Sequence, residues 1–390
     1  MAVNPDLRAR ERRLAADLDL ARTGPGTLAG RFLRQFWLPV FRAEDLPKGY
    51  AKPIRIMSED YTLYRGESGT AQVIDQRCPH RGALMHLGWV EGDDIRCVYH
   101  GWKFDRTGQC LEQPAEEPGF ARKIRTGVYP TREHLGLVYA YFGAGEPPPF
   151  PPYPAPLGDG IIENPEPPVI SCNYLQCFEN SLDEVHVSFV HRAGGSHQGM
   201  YDLPAIGAEE TAWGVLRTGE RQGEKRLSLH YMPSCTRVVV PPMKGFDGVG
   251  GWKELYLNFV PIDDESCKWF IIYHVRVTGR DAEIYLAKRE DYAKKLAAAG
   301  PAPDLAREVI AGRLPFAAID HPDLVRVQDV AVQAGQGAIA DRAAEHLGRS
   351  DRAIILWRRI LAREMTALAE GHPPKTWTPA PATVVPTLGF

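Results

Sequence analysis

Two cysteines and two histidines fall within one short stretch: Cys78-Pro-His80 and, after sixteen residues, Cys97-Val-Tyr-His100. Thiolates and imidazoles are good ligands for borderline and soft metals. The surrounding run is polar and rich in glycine, so it reads as loops outside a hydrophobic core. A C-x-H pair cannot come from a regular helix, because alternate helical residues point apart, whereas a tight loop can aim both side chains at one centre. The stretch therefore reads as two loops that clamp one metal centre.

Ligand type alone admits zinc or an iron-sulfur centre. Pairing separates them. Zinc fingers with two cysteine and two histidine ligands pair Cys with Cys and His with His, whereas here each loop supplies one of each. That is the arrangement of a [2Fe-2S] cluster in which one iron takes both thiolates and the other both imidazoles. The run CPHRGALMHLGWVEGDDIRCVYHGWKFD resembles the Rieske domain of ring-hydroxylating oxygenases. On that resemblance Cys78, His80, Cys97 and His100 hold a Rieske cluster suited to passing single electrons. A structural zinc protein is the alternative, and it would be colourless. His86 lies outside the ligand pattern and reads as a surface or hydrogen-bonded histidine. Cys110 reads as a small buried hydrophobe. Trp102 and Phe104 are expected to pack beside the loops and limit water access.

A second constellation follows in NSLDEVHVSFVH, Asn180 to His191, which spells D-x-x-H-x-x-x-x-H. Asp183 and His186 would share a helix face, but His186 and His191 would lie about 140° apart on an ideal helix. The helix must therefore end between them or carry a local distortion. Two histidines and one carboxylate form a facial triad for mononuclear Fe(II), with open positions for O2. Together the two constellations resemble the catalytic subunit of Rieske non-haem iron oxygenases over nearly the whole chain. The resemblance implies that Asp183 is a bridging residue, not a ligand, which bonds His186 and reaches a cluster histidine of the neighbouring subunit, His100. It also implies a carboxylate ligand from a late helix. VRVQDVAVQ fits with Asp329, while Asp320, Asp323 and Asp341 lie nearby and spacing leaves them open. The run QDVAVQAGQGAIADRAAEHLGRSDRAIILWRR further resembles the phthalate dioxygenase and aryl-ether O-demethylase branch. Within it Asp341, Arg342, Glu345 and Arg358 read as structural ion pairs.

Two domains must position these residues, since 390 residues exceed one ordinary core. Residues 1–27 read as a charged helix with Leu7, Leu14, Leu18 and Leu20 as its stripe. Residues 28–145 form short strands (KPIRIM, YTLYRG, AQVIDQR, IRCVYHGWKF, LGLVYAYFG) that carry the first motif. Residues 146–160 are a proline-rich linker. Residues 161–370 begin with a strand and then a helix in SCNYLQCFENSLDEVHVSFVH, and continue as long antiparallel strands followed by helices. Residues 371–390 are a proline-rich tail. The fold class is α+β: an N-terminal all-β Rieske domain, then a helix-grip catalytic domain with an antiparallel sheet and helices.

A net charge of -3 gives no footprint for nucleic acid. Neither a signal peptide nor a membrane span is apparent, so a cytoplasmic protein with no membrane partner is expected. Seven cysteines, an odd number, favour metal use over a disulfide framework. The resemblance implies the oxygenase component of a Rieske system. It uses O2 and electrons from NAD(P)H, delivered by a separate flavin or ferredoxin-type reductase, and acts as a homotrimer or stacked trimers. Its substrate would be an aromatic, acidic small molecule, ring-hydroxylated or oxidatively O-demethylated. The alternative is an electron-transfer protein that carries only the cluster. Arg217, Arg221, Arg226 and Arg237 could anchor a carboxylate, but each reads as a solvated surface residue. Cys172, Cys177 and Cys235 read as buried.

Overall fold

The computed structural model describes residues 18–117, 119–151, 158–192, 202–242, 246, 248–372 and 375–387. The chain divides at Phe150/Pro151 into two compact units, Thr23–Phe150 and Pro151–Phe390, the latter joined by the segment before Thr23. Most of the expected N-terminal helix lies outside the described residues. Residues 18–27 are bends and turns rather than helix, and a short helix, α1, follows at Leu28–Leu33. Thr27 caps it by accepting a hydrogen bond from the Gly30 amide.

The first unit is built from small antiparallel sheets. β1 (Trp37–Arg42) pairs with β11 (Leu137–Tyr141), which pairs with β10 (Thr131–His134). A second sheet runs β2 (Ala51–Ile56), β3 (Glu59–Arg65), β4 (Ala71–Asp75), β9 (Val128–Tyr129). The third runs β5 (Trp89–Glu91), β6 (Asp94–Arg96), β7 (Lys103–Phe104), β8 (Cys110–Glu112). The strand expected over IRCVYHGWKF is therefore interrupted: β6 ends at Arg96 and β7 begins at Lys103, and the loop between them carries Cys97 and His100.

The second unit holds an eight-stranded antiparallel sheet. Its strands are β12 (Ile161–Glu163), β13 (Val169–Ile170), β14 (Ala205–Glu210), β15 (Gly214–Arg221), β16 (Glu224–Tyr231), β17 (Cys235–Val240), β18 (Lys253–Pro261) and β19 (Cys267–Val275). They run in the order β12-β19-β18-β17-β16-β15-β14, with β13 also on β19. Helices α2 (Tyr174–Leu182), α3 (Val185–Val190), α4 (Gly279–Ala299), α5 (Ala302–Ile310), α6 (Leu324–Ala334) and α7 (Arg352–Ala369) complete it. Tyr174 begins a helix where a strand was expected. Asn173 starts it by accepting from the Leu175 amide at 3.0 Å, and Leu175, Phe178 and Leu182 form its buried stripe. Phe178 meets Trp357 of α7 at 4.4 Å between ring centroids and Phe259 of β18 at 5.7 Å, so helix and sheet share one core.

Candidate metal centres

The two loops of the first unit are copies of one turn. In the first, the Cys78 amide donates to Ala83 O at 2.8 Å and the Gly82 amide to Cys78 O at 2.9 Å. In the second, the Cys97 amide donates to Trp102 O at 2.8 Å and the Gly101 amide to Cys97 O at 3.0 Å. Gly82 and Gly101 both sit at φ 75°, the left-handed conformation that closes each turn and that a side chain would strain. The equivalence brings like ligands together. Cys78 has Cys97 as a hydrogen-bond neighbour, and the His80 and His100 rings meet edge to face with centroids 4.4 Å apart.

The cysteines are not outside the core, as the polar run suggested. Cys78, Cys97 and Cys110 belong to a buried cluster with Tyr64, Ile74, Met85, Ile95, Trp102 and Phe104. Burial, with Cys97 alongside, pushes the Cys78 thiol up to about 12. Trp102 stacks on His80, centroids 4.2 Å apart and planes 5° from parallel. His80 Nδ1 is buried with no hydrogen-bond partner, as a nitrogen reserved for a metal would be. His86, half-buried, likewise has a buried Nδ1 without a partner. Two adjacent thiols and two adjacent imidazoles fit a cluster with one iron on the thiolates and the other on the imidazoles.

In the second unit, ligand atoms of His186, His191 and Asp329 lie within 4.8 Å of one another. His186 Nε2 is 3.6 Å and His191 Nε2 3.3 Å from Asp329 Oδ1. The spacing problem is solved by ending the helix: α3 stops at Val190, and His191, with φ -93° and ψ 6°, caps it. Asp183 does not share that helix. It is the extended cap of α2, and its Oδ1 accepts from the Val185 amide at 2.7 Å and the His186 amide at 3.3 Å. The contact to the His186 ring comes from its main chain, Nδ1 lying 2.7 Å from Asp183 O. His191 Nδ1 lies 3.0 Å from Gln328 Oε1. With both Nδ1 atoms turned to oxygen acceptors, both Nε2 atoms are directed at Asp329, the orientation a metal site needs.

Burial works to lower His186, which favours the neutral, ligating imidazole. Burial alone would raise Asp329, but His191, His186 and the Asn180 amide, 3.3 Å away, hold it below its usual range. Side-chain exposures of 15% for His186 and 18% for Asp329 leave the triad largely buried but not sealed. The donor set fits a divalent, borderline ion with free coordination positions. The other aspartates are elsewhere: Asp323 pairs with Arg326 at 2.7 Å, and Asp341 accepts from the Ala343 amide at 3.1 Å. Glu179 binds Arg358 and Arg342, and Arg358 also binds Glu345.

The arginines overturn their expectation. Arg217, Arg221, Arg226 and Arg237 are all buried. Three of them converge on Glu184, the residue between Asp183 and the ligand-bearing helix: Arg217 Nη2, Arg221 Nη1 at 2.8 Å and Arg226 Nη1 at 3.0 Å. Burial would raise the Glu184 carboxyl, but the charges of Arg217 and Arg226 and the hydrogen bond from Arg221 bring it down to about 2. Arg237 pairs with Glu254. Sequence reasoning missed Glu184 and Gln328. Arg217 and Arg221, four apart on a strand, share a face, and two charges on a face that a sheet buries call for a carboxylate. Gln328, adjacent to Asp329, carried no such signal.

Residues 36–130 match the family of Rieske [2Fe-2S] domains. The chain is 34% identical over 379 residues to the 5,5'-dehydrodivanillate O-demethylase oxygenase subunit of Sphingobium sp., covering 93% of this chain and 82% of that one. It belongs to the Rieske oxygenases. The phthalate 4,5-dioxygenase oxygenase subunit of Pseudomonas putida is 26% identical, with 88% of this chain and 84% of that one covered. Among solved structures, the terminal oxygenase of carbazole 1,9a-dioxygenase from Nocardioides aromaticivorans shares the fold. Its TM-score is 0.65 and its identity 18%, over 89% of this chain and 99% of that one. This Rieske oxygenase is thus an oxygenase component of the type that acts on aromatic compounds, not an electron carrier alone. Its fold, a β-rich Rieske domain and an antiparallel-sheet catalytic domain, is the α+β class expected. Among the described residues no helix is long and apolar enough to cross a membrane.

Proposed function

We propose that this oxygenase hydroxylates or O-demethylates an aromatic carboxylic acid, with Cys78, His80, Cys97 and His100 holding the cluster and His186, His191 and Asp329 the mononuclear iron. When bound, the two centres supply one-electron transfer and O2 reduction at a ferrous ion. The residues do the rest. Asp183 O and Gln328 Oε1 orient the two imidazoles, Asn180 orients Asp329, and the triad's remaining exposure is the side from which O2 and substrate would approach. The observation that carries the reading is the three-residue triad, built in the same chain as the paired Cys-His loops.

Electrons are proposed to come from NAD(P)H through a separate reductase, and to pass between subunits of a homotrimer by way of the Asp183 carboxylate and His100 of the neighbour. Exposed Leu87, Trp89, Val98 and Tyr99 on and beside the second loop suit a protein-covered cluster edge. The test is iron and acid-labile sulfide analysis of anaerobically purified protein. His186→Ala should lose the mononuclear iron while keeping the sulfide and the red-brown spectrum. If wild type binds no iron beyond its cluster when Fe(II) is supplied, the reading fails.

A further inference from the structure

Lys253 opens β18, and its side chain is buried, at 2% exposed. Charged groups near it include Glu163 on β12, Arg289 on α4, Asp323 at the N-cap of α6 and Arg326 on α6. These are already matched. Arg289 Nε donates to Glu163 Oε1 at 3.0 Å and the Tyr285 hydroxyl to Oε2 at 3.0 Å, while Arg326 Nε lies 2.7 Å from Asp323. Among the described residues Lys253 Nζ has no hydrogen-bond partner, and the Tyr273 ring lies 4.5 Å from it at the centroid. Three cations thus face two carboxylates, and Lys253 is the surplus. Burial brings its ammonium down to about 8, so it still carries charge at neutral pH. A buried ammonium without an anion is costly, and a ligand that brings one removes the cost.

The register shows what lies between Lys253 and the triad. Directly opposed residues of antiparallel strands point to one face. Val240 opposes Lys253, Val238 opposes Leu255 and Tyr273 follows on β19, and in the next row Thr236 opposes Leu257. Thr236 Oγ1 meets Ser181 Oγ of α2 at 2.6 Å, so this face looks toward the helix whose Asn180 holds Asp329. Leu255, Leu257 and Tyr273 are only half-buried although they sit inside the sheet. Asp323, the N-cap of α6, interacts electrostatically with Lys253, and Asp329 of the triad lies six residues on, about 9 Å further along the helix. That separation suits one substituted aromatic ring.

We propose that Lys253 binds the carboxylate of the aromatic substrate, laying the ring over Val238 and Leu255 with its reactive substituent at the triad. A carboxylate is ionised at neutral pH where a phenol is not, and Glu163 and Asp323 nearby oppose a dianion such as phosphate. The arginines are not the anchor. Arg217, Arg221 and Arg226 are spent on Glu184, and Arg237 faces the other side of the sheet. The inference rests on the oxygenase reading of the triad.

The experiment is calorimetric binding of a panel of methoxy- and hydroxy-substituted benzoates and their neutral amides to holoenzyme, for wild type, Lys253→Met and Lys253→Arg. The expected result is at least tenfold tighter binding of a benzoate than of its amide in wild type. That preference should be lost in Lys253→Met through weaker benzoate binding alone, and partly restored in Lys253→Arg. If wild type binds acid and amide alike, or Lys253→Met keeps the preference, the anchor is overturned and the oxygenase reading stands. If wild type binds no member of the panel, the aromatic-acid reading falls and takes the anchor with it. A thermal midpoint of Lys253→Met no lower than wild type excludes misfolding as the cause.

Discussion

Glu184 sits between Asp183 and His186 with three guanidiniums on its carboxylate, so a single atom change there has a calculable cost. Glu184→Gln leaves three buried cations without their counter-charge, and breaking a buried ion network in this way costs about 3–5 kcal/mol. Denaturant unfolding should show that loss, and a variant within 1 kcal/mol of wild type, on the order of a surface substitution, would contradict the cluster. Lys253 predicts the opposite sign. Its ammonium titrates near 8 in the fold against an ordinary 10.5, so the unfolded chain binds more protons between those values and stability rises with pH across that window. Below pH 8 the buried charge costs about 3 kcal/mol net of its favourable contacts. Lys253→Met should therefore be about 3 kcal/mol more stable than wild type at pH 7, with the gain gone by pH 10.5. A less stable variant at pH 7 would show that Lys253 has an anionic partner in the resting protein. Neither residue was legible in the sequence, because a lone Glu or Lys gains its meaning only when strand register places it among other charges. The Cys-His pairs and the two histidines of the proposed sites were legible because their spacing is itself the signal, whereas spacing left Asp329 one of several aspartates.

At the scale of elements, the end of α3 at Val190 is the piece of backbone that lets two histidines five apart serve one triad. A continuous helix would point His186 and His191 about 140° apart. Instead α3 stops at Val190 and His191 caps it, while at its start α2 ends at Leu182, Asp183 turns extended, and its Oδ1 caps the short α3 through the Val185 and His186 amides. The spacing alone required an end or a distortion between the two histidines, but that α3 begins at Val185 depends on the Asp183 cap, which sequence periodicity does not report. The misread strand at Tyr174 has the same origin: its apolar run fits either period, and the Asn173 cap decides for helix. Asp183 thus has two separable roles. Asp183→Asn keeps an acceptor for the two amides and should keep stability and both metals. Asp183→Ala should lose about 1 kcal/mol with the cap. If the carboxylate also carries charge between the centres, both variants lose turnover while retaining iron and colour. Reductase-coupled O2 uptake with full activity in Asp183→Asn would reduce the residue to a helix cap.

At the scale of the whole molecule, the proposed function has the two loops of one unit exchange electrons with the triad of the other by a route that crosses to a neighbouring chain of a trimer. The route has a consequence that no property of a single chain can imitate. A chain crippled at the cluster by His80→Ala keeps its triad, and one crippled at the triad by His186→Ala keeps its cluster. Each is inactive as a homo-oligomer whatever the route. In mixed trimers with cyclic symmetry, each interface joins the cluster of one chain to the triad of the next. Equal, random mixing by co-expression then makes about a quarter of the interfaces intact, so about a quarter of wild-type turnover should return. Transfer within a chain predicts none, because every chain then lacks one of its own centres. Mixing the two purified homo-oligomers without subunit exchange should also return none, which separates shared interfaces from electrons shuttled by the reductase. Restored activity in the co-expressed oligomer but not in the mixture would place the electron path between subunits. Silence in both would confine it to one chain and leave the exposed Trp89 and Tyr99 edge to the reductase.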